Sequence, residues 1–360
     1  MAKIKVAVIF GGISKEHNLS LATAKDVITS IPSDKYEVIC IGITKKGRWL
    51  YYPGDASDIA SGKWEFNPDC TSAIISPDPI HKGIVTIENG EVSIKKIDVV
   101  LSLLQGKFGA DGSIQGLLDM AGIPYVGCGL LSSASCMDKS QTHLLVDGGQ
   151  YRISTAKWTM ITYRELNHID ERCEAICRDF AELFPLIVKP ANSGSSIGVT
   201  KVNTPQELEP AVKIAFSHDN KVVVEEFIEG KELEVAVFGY DTPFASNVGE
   251  IIADCGRDCP REHFVSHSGC LRIPAELSQE ETAEIRNMAI EAYKALNCKG
   301  FARIDFMLGK NGAKLNKIST APGLGADCIY PQLMKELGME LSYLLDKLIE
   351  QAIENADRTY

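Results

Sequence analysis

Residues 186–202 read LIVKPANSGSSIGVTKV. A hydrophobic run ends at Lys189-Pro190, a loop of glycine and serine follows from Ser193 to Gly198, and a β-branched run, residues 197–202, resumes at once. The pattern predicts a strand, a turn and a returning strand. Small residues let a turn lay backbone N–H groups against an anion, and a lysine at the end of the first strand supplies a point charge. Polyphosphate is the ligand that needs both. A plain flexible hairpin of the same composition needs neither, and this loop taken alone leaves the two readings open.

Outward from this stretch, the chain divides into three units. Residues 4–10 are nearly all apolar, as in a parallel strand buried on both faces; they end in Gly11-Gly12, and an amphipathic stretch, 18–28, predicts a helix. A ligand facing Gly11, Gly12 and the helix start, or merely a tight βα turn, accounts equally for that pattern. Residues 36–44 and 97–104 predict further strands, separated by a variable segment rich in proline, glycine and aspartate, and 113–120 a short helix. Residues 130–146 predict one helix carrying Met137-Asp138-Lys139. The second unit offers strands at 155–161, 186–189, 197–202 and 221–226, with helices at 170–183 and from Thr204, where Pro205 and Glu207 complete a capping box. In the third unit 232–238, 246–252, 301–308 and 313–318 predict strands. Ser278 and Glu281 open a helix whose stripe of Ile285, Met288, Ala289, Ala292, Tyr293 and Leu296 is core, and 341–353 predict a closing helix. Residues 253–272 read as a long polar loop of the kind that serves as a lid.

Composition sets the outer limits. The chain has 360 residues, 45% hydrophobic and 24% charged, enough for two or three domains of an ordinary globular protein. No apolar run approaches the roughly 20 residues of a membrane span, and the N-terminal stretch lacks a signal-peptide pattern, so a cytoplasmic protein is expected. A net charge of -11 argues against a general nucleic-acid binder while permitting one local basic pocket. Eleven cysteines without a CxxC pair suit reduced thiols. Cys255, Cys259, His263 and His267 recur every four residues, but the gap between the pairs is too short for a zinc finger and Pro260 interrupts a helix that would present all four.

Several stretches point one way together: GGISKEHNLS, GADGSIQGLLDMAGIPYVGCG, MDKSQTH, VKPANSGSSIGV, VVVEEFIEGKELEVAVFG, GFARIDF and NKISTAPG. In order and spacing they resemble the D-alanine:D-alanine ligases of the ATP-grasp superfamily over nearly the whole chain, and IGITKKGRWLYYPGD looks most like the D-alanyl-D-serine ligases of vancomycin resistance. The resemblance implies an α/β, three-domain ATP-grasp ligase: a doubly wound, substrate-binding N-terminal domain over 1–125, a central lobe over 126–218, and a C-terminal lobe over 219–360. It implies that ATP phosphorylates the carboxylate of one amino acid and that the amine of a second, D-alanine or D-serine, attacks the acyl phosphate to make a peptidoglycan precursor. Lys139 and Lys189 match the lysines on the ATP phosphates, and Ser195 and Ser196 belong to the loop that covers them. Glu225 matches the acceptor from the adenine amino group and Glu232 the ribose ligand. Arg303 matches the arginine supporting the transferred phosphate and the oxyanion, Asp305 a magnesium ligand, and Glu16 the acid that meets the first substrate's ammonium. Gly323 matches backbone near the substrates. A homodimer is implied as well.

The departures matter as much. The family's Asn-Glu-x-Asn-Thr-x-Pro-Gly metal motif is here Asn316, Lys317, Ile318, Ser319, Thr320, Ala321, Pro322, Gly323, so Lys317 and Ser319 replace the usual magnesium ligands. Its histidine-glycine is Gln105-Gly106, an acid is Ala110, the lid lysine and tyrosine are His263 and Phe264, and the serine holding the second carboxylate is Cys328. These changes strip acids and hydrogen-bonding groups from around the reacting atoms while sparing the folding residues. They raise an alternative expectation, a catalytically impaired nucleotide-binding homologue with a regulatory or partner role, in which Lys317 lies against the phosphates as a point charge.

Overall fold

The chain crosses from strand to helix at Gly11-Gly12 because nothing larger fits: both adopt positive φ, +89° and +96°, and a Cβ on Gly11 would lie 2.2 Å from the Ile43 carbonyl oxygen. In the computed structural model, which describes residues 2–88, 90–148, 151, 153–193, 197–252 and 270–356, this turn sits at the end of the first strand. The strands of the first unit are β1 (Ile4–Gly11), β2 (Tyr36–Ile43), β3 (Trp49–Tyr52), β4 (Thr71–Ile75), β5 (Gly83–Glu88), β6 (Glu91–Lys96) and β7 (Val99–Ser102). They form one sheet in the order β6-β5-β4-β3-β2-β1-β7. Only β2, β1 and β7 run parallel, and β1 is buried over its last six residues. Helices α1 (His17–Ser30) and α2 (Ser113–Ala121) belong to this unit.

The segment between the two predicted strands is far from irregular, since it carries β3 to β6 as antiparallel ribbons. Sequence pattern missed them because the outermost strand, β6, exposes both faces and offers no alternation to read.

Residues 130–146 also differ from expectation: they form two helices, α3 (Leu130–Met137) and α4 (Lys139–Asp147). Asp138 breaks them, adopting an extended conformation from which its carboxylate accepts the backbone N–H groups of Ser140 and Gln141. The next sheet contains β8 (Trp158–Thr162), β9 (Leu186–Pro190), β10 (Thr200–Val202) and β11 (Lys221–Glu226) in the order β10-β9-β11-β8, with every pairing antiparallel. The returning strand starts at Thr200 rather than Ile197, because Ile197 and Gly198 still belong to a turn and Gly198 has φ +77°. Helices α5 (Ile169–Asp179) and α6 (Leu208–Phe216) cover the sheet. The expected capping box at Thr204 is replaced by a 3₁₀ turn, Pro205–Glu207, in which the Thr204 hydroxyl donates to Glu207 rather than capping a backbone N–H.

The third sheet holds β12 (Lys231–Gly239), β13 (Phe244–Ala245), β14 (Gly249–Ile252), β15 (Cys270–Arg272), β16 (Gly300–Gly309) and β17 (Gly312–Ser319), in the order β15-β14-β12-β16-β17 with β13 on β12. Helix α7 (Gln279–Ala295) starts at the predicted box: Ser278 and Glu281 each bond the other's backbone N–H. A short helix not read from sequence, α8 (Ile329–Lys335), precedes α9 (Leu341–Glu354). One hydrophobic core joins β1 and β7 to α8, α9 and residues of β12, whereas the middle sheet keeps a core of its own. Across the shared core, Asp346 of α9 accepts from the Tyr36 hydroxyl at 2.8 Å and from Lys35 at 2.7 Å. Eight cysteines are free among the described residues; Cys270 is disulfide-bonded, which the all-reduced expectation did not anticipate.

Candidate active site

The N-terminus of α4 sets the first lysine. Asp138 turns the chain, the Lys139 backbone N–H bonds the Ala191 carbonyl, and the Lys139 ammonium then meets the carbonyl oxygens of Pro190, Ala191 and Ser193 at 3.3, 3.2 and 2.8 Å. The second lysine, Lys189 of β9, is buried and pairs at 2.6 Å with Glu225 of the adjacent β11. The other oxygen of Glu225 meets His143 Nε2 at 2.9 Å. Burial works against the Glu225 carboxylate, but Lys189 and His143 outweigh it and hold the group at about 2. The His143 ring stacks on Trp158, centroids 4.7 Å apart, and Trp158 donates to Asp147 at 2.6 Å. Lys139, Lys189 and Glu225 thus converge, as the nucleotide reading required, and burial with repulsion from Lys189 and Lys317 lowers the Lys139 ammonium to about 7.

Opposite them lies one face of the third sheet. Side chains two apart on a strand share a face, and the register aligns Glu234 of β12 with Asp305 of β16, Asp305 with Lys317 of β17, and Arg303 with Ser319. Arg303 grips Asp305 with two hydrogen bonds, 2.8 and 2.9 Å, and lies 3.1 Å from Glu234. All three are almost fully buried. Burial opposes the guanidinium's charge, yet Asp305 and Glu234 more than restore it, so its ionisation lies above the ordinary arginine range. Glu232, on the same face of β12, adds to that field.

The first unit closes the third side. Glu16 precedes α1, and its carboxylate lies so close to Gly106 that a Cβ there would stand 2.5 Å from Oε2. Burial lowers the Lys317 ammonium, while Asp305, Glu234 and, from the first unit, Glu16 support its charge, so the two units border one cleft. Gly323 approaches Cys328 and Gln105 in the same way: a Cβ on it would lie 2.7 Å from the Cys328 sulfur and 3.4 Å from Gln105 Nε2. Burial pushes the Cys328 thiol up to about 11, so it is an unreactive, neutral group. A cavity of about 290 Å³ adjoins this corner, lined by Gly11, Gly12, Leu104, Gln105 and Phe108 among others.

Ser195 and Ser196 lie outside the described residues, as do Cys255, Cys259, His263, Phe264, His267 and most of the expected lid. Sequence reading missed two members of the cleft. His143 stands four residues beyond Lys139, one helical turn along the same face, and Glu234 stands two beyond Glu232 on one strand face; both periods were there to be read.

The donor set does not fit a magnesium ion. Magnesium needs several hard oxygens, yet both oxygens of Asp305 accept from Arg303, the residue opposite is the ammonium of Lys317, and Ser319 brings a neutral hydroxyl. Among the described residues no cluster of three or more acids, histidines or cysteines could hold a metal.

With this geometry in hand, comparison with known proteins is specific. Residues 5–128 match the family model for the D-ala D-ala ligase N-terminus and residues 149–350 that for the D-ala D-ala ligase C-terminus. A D-alanine--D-alanine ligase of Thermoanaerobacter sp. (strain X514) is 41% identical over 360 residues, covering 99% of this chain and 98% of that protein. The vancomycin/teicoplanin A-type resistance protein VanA of Enterococcus faecium is 38% identical, covering 98% of this chain and all of that one. Among solved structures, the VanG D-Ala:D-Ser ligase of Enterococcus faecalis superposes with a TM-score of 0.87 at 37% identity, covering 98% of this chain and 100% of that one.

Proposed function

The chain belongs to the D-ala D-ala ligase family, with its three-domain ATP-grasp architecture, and from that premise we propose that it joins D-alanine to a second D-amino acid using ATP, in the making of peptidoglycan precursors. The observation that carries the reading is the meeting of three separately folded groups in one cleft: Glu16 beside Gly106, the Arg303–Asp305 pair, and Lys139 with Lys189 and Glu225. In the proposed reaction the carboxylate of the first D-alanine attacks the terminal phosphorus of ATP and ADP leaves. The amine of the second amino acid then attacks the acyl carbon, phosphate departs, and the amine gives up a proton.

Glu16 receives the ammonium of the first substrate, and Gly106 gives its carboxylate room. Lys139 and Lys189 neutralise the phosphates, and by the family pattern Ser195 and Ser196 contribute to holding them. Arg303, held by Asp305 and Glu234, keeps a fixed positive charge where the oxyanion develops, a preorganised arrangement that needs no rearrangement during the step. Glu225 and Glu232 receive adenine and ribose. Gly323 and Cys328 border the second substrate. The units 1–125, 126–218 and 219–360 act as the substrate domain and the two nucleotide-binding lobes of a cytoplasmic homodimer.

One observation favours a second reading. Lys317 faces Asp305 where the family pattern has a glutamate, which supports a nucleotide-binding homologue with weak or absent turnover. Phosphate release separates the two. The ligase reading expects release from ATP that requires the amino acids; none across D-alanine, D-serine, D-lactate and glycine, with magnesium or manganese, would leave the binding homologue.

A further inference from the structure

Four adjacent charges on the third-sheet face balance one another, with Glu232 two residues from Glu234 along β12. Arg303 and Lys317 bring two positive charges; Asp305 and Glu234 bring two negative ones, and the register ties all four into adjacent positions on three strands. A bulge fixes the last of them. Asp305 pairs with Lys317 but Phe306 pairs with Leu315, so Asn316 is the extra residue, and the reset leaves Lys317 and Ser319 on the face of Asp305 and Arg303. Burial lowers the Lys317 ammonium and Asp305 opposite it restores part of that charge; its field reaches Glu16 on one side of the cleft and Lys139 on the other.

A divalent ion is drawn to a site of net negative charge. These four adjacent groups sum to zero, and an ammonium occupies the position opposite the acid of Asp305. Replacing that ammonium by a carboxylate would leave one guanidinium against three carboxylates, a deficit equal to the charge of one divalent ion. A lysine differs from a metal in being a compact charge on a flexible stem, with three donors and no coordination geometry to satisfy, and it suits phosphate oxygens of any arrangement.

We infer that Lys317 is a built-in cation that takes the place of a divalent metal, so that this cleft accepts a nucleoside triphosphate as the free anion rather than as its magnesium complex. The inference rests on the nucleotide reading of the cleft given above and adds to it the ionic form of the ligand.

Titration calorimetry of the full-length protein with ATP, without amino acids, tests this in EDTA and in excess magnesium. Wild-type affinity is expected to agree in the two media within about threefold, whereas Lys317→Met is expected to lose at least about tenfold in EDTA from removal of one facing charge. Lys317→Arg keeps the charge and is expected to bind in EDTA much as wild type does, which preserves the test if Lys317→Met does not fold. Lys317→Glu combined with Ser319→Asn is expected to bind only with magnesium. Wild-type binding at least about tenfold tighter with magnesium than in EDTA would overturn the inference and leave the nucleotide site standing, as would Lys317→Met binding like wild type in EDTA. Wild-type protein that binds ATP in neither medium would overturn both.

Discussion

Lys139 is kept close to neutrality by its surroundings. Burial, and after it Lys189 and Lys317, bring its ammonium down to about 7 while three backbone carbonyls receive what charge it has. A bound triphosphate returns it toward the ordinary lysine value, so the bound form ionises above the free form. Affinity is therefore full below about 7 and falls as pH rises past it, and binding at pH 8 takes up a proton. Calorimetry in two buffers of different ionisation heat measures that proton; heats that do not depend on the buffer would contradict it. Gly106 makes a second prediction. At φ +65°, with Glu16 Oε2 2.5 Å from any added Cβ, Gly106→Ala displaces the carboxylate. KM for the first amino acid is expected to rise by about tenfold or more with ATP affinity unchanged, as steady-state kinetics would show. At this scale the sequence was legible wherever a motif fixed a residue type: Lys139, Lys189, Glu225, Arg303 and Glu16 all lie at the cleft. It was silent on their partners. That Glu225 would hold Lys189 and His143 at once depends on the pairing of β9 with β11 and on the packing of α4, neither of which a local pattern encodes.

Among the elements, the break between α3 and α4 has the largest effect on the site. Apolar periodicity runs through residues 130–146 and so predicted one helix, but Asp138 prefers to cap, and its carboxylate also pairs with Lys221 of β11. That pair joins the start of α4 to the middle sheet and sets where Lys139 emerges. Asp138→Ala removes the cap, about 0.5–2 kcal/mol, and leaves the Lys221 ammonium without this carboxylate. Thermal unfolding is expected to shift down by several degrees, about 2–6 °C, and ATP binding to weaken with it, whereas Asp138→Asn is expected to keep most of the cap and lose only the ion pair. The caps at Ser278 and Glu281 were readable because both partners lie within one turn of the same helix. Strands β3 to β6 were not, because what makes them strands is the neighbour each one pairs with.

For the molecule as a whole, seven ordered motifs made the three-unit plan legible, yet nothing local tells how the units are fastened. Lys35 and Tyr36 reach Asp346 across 311 and 310 positions of sequence. Asp346→Ala leaves the buried Tyr36 hydroxyl without its acceptor, at about 1–3 kcal/mol, and scanning calorimetry reads the loss. The arrangement of cores decides where that loss appears. Helices α8 and α9 share their interior with β1 and β7, while residues 161–224 pack among themselves. Heat will therefore find a seam: the middle sheet melts as its own calorimetric unit, and the Asp346 substitution lowers the other endotherm alone. Glu16 and Arg303 ride together on the block that α9 fastens, so their spacing survives any swing of the lobe that carries Lys189.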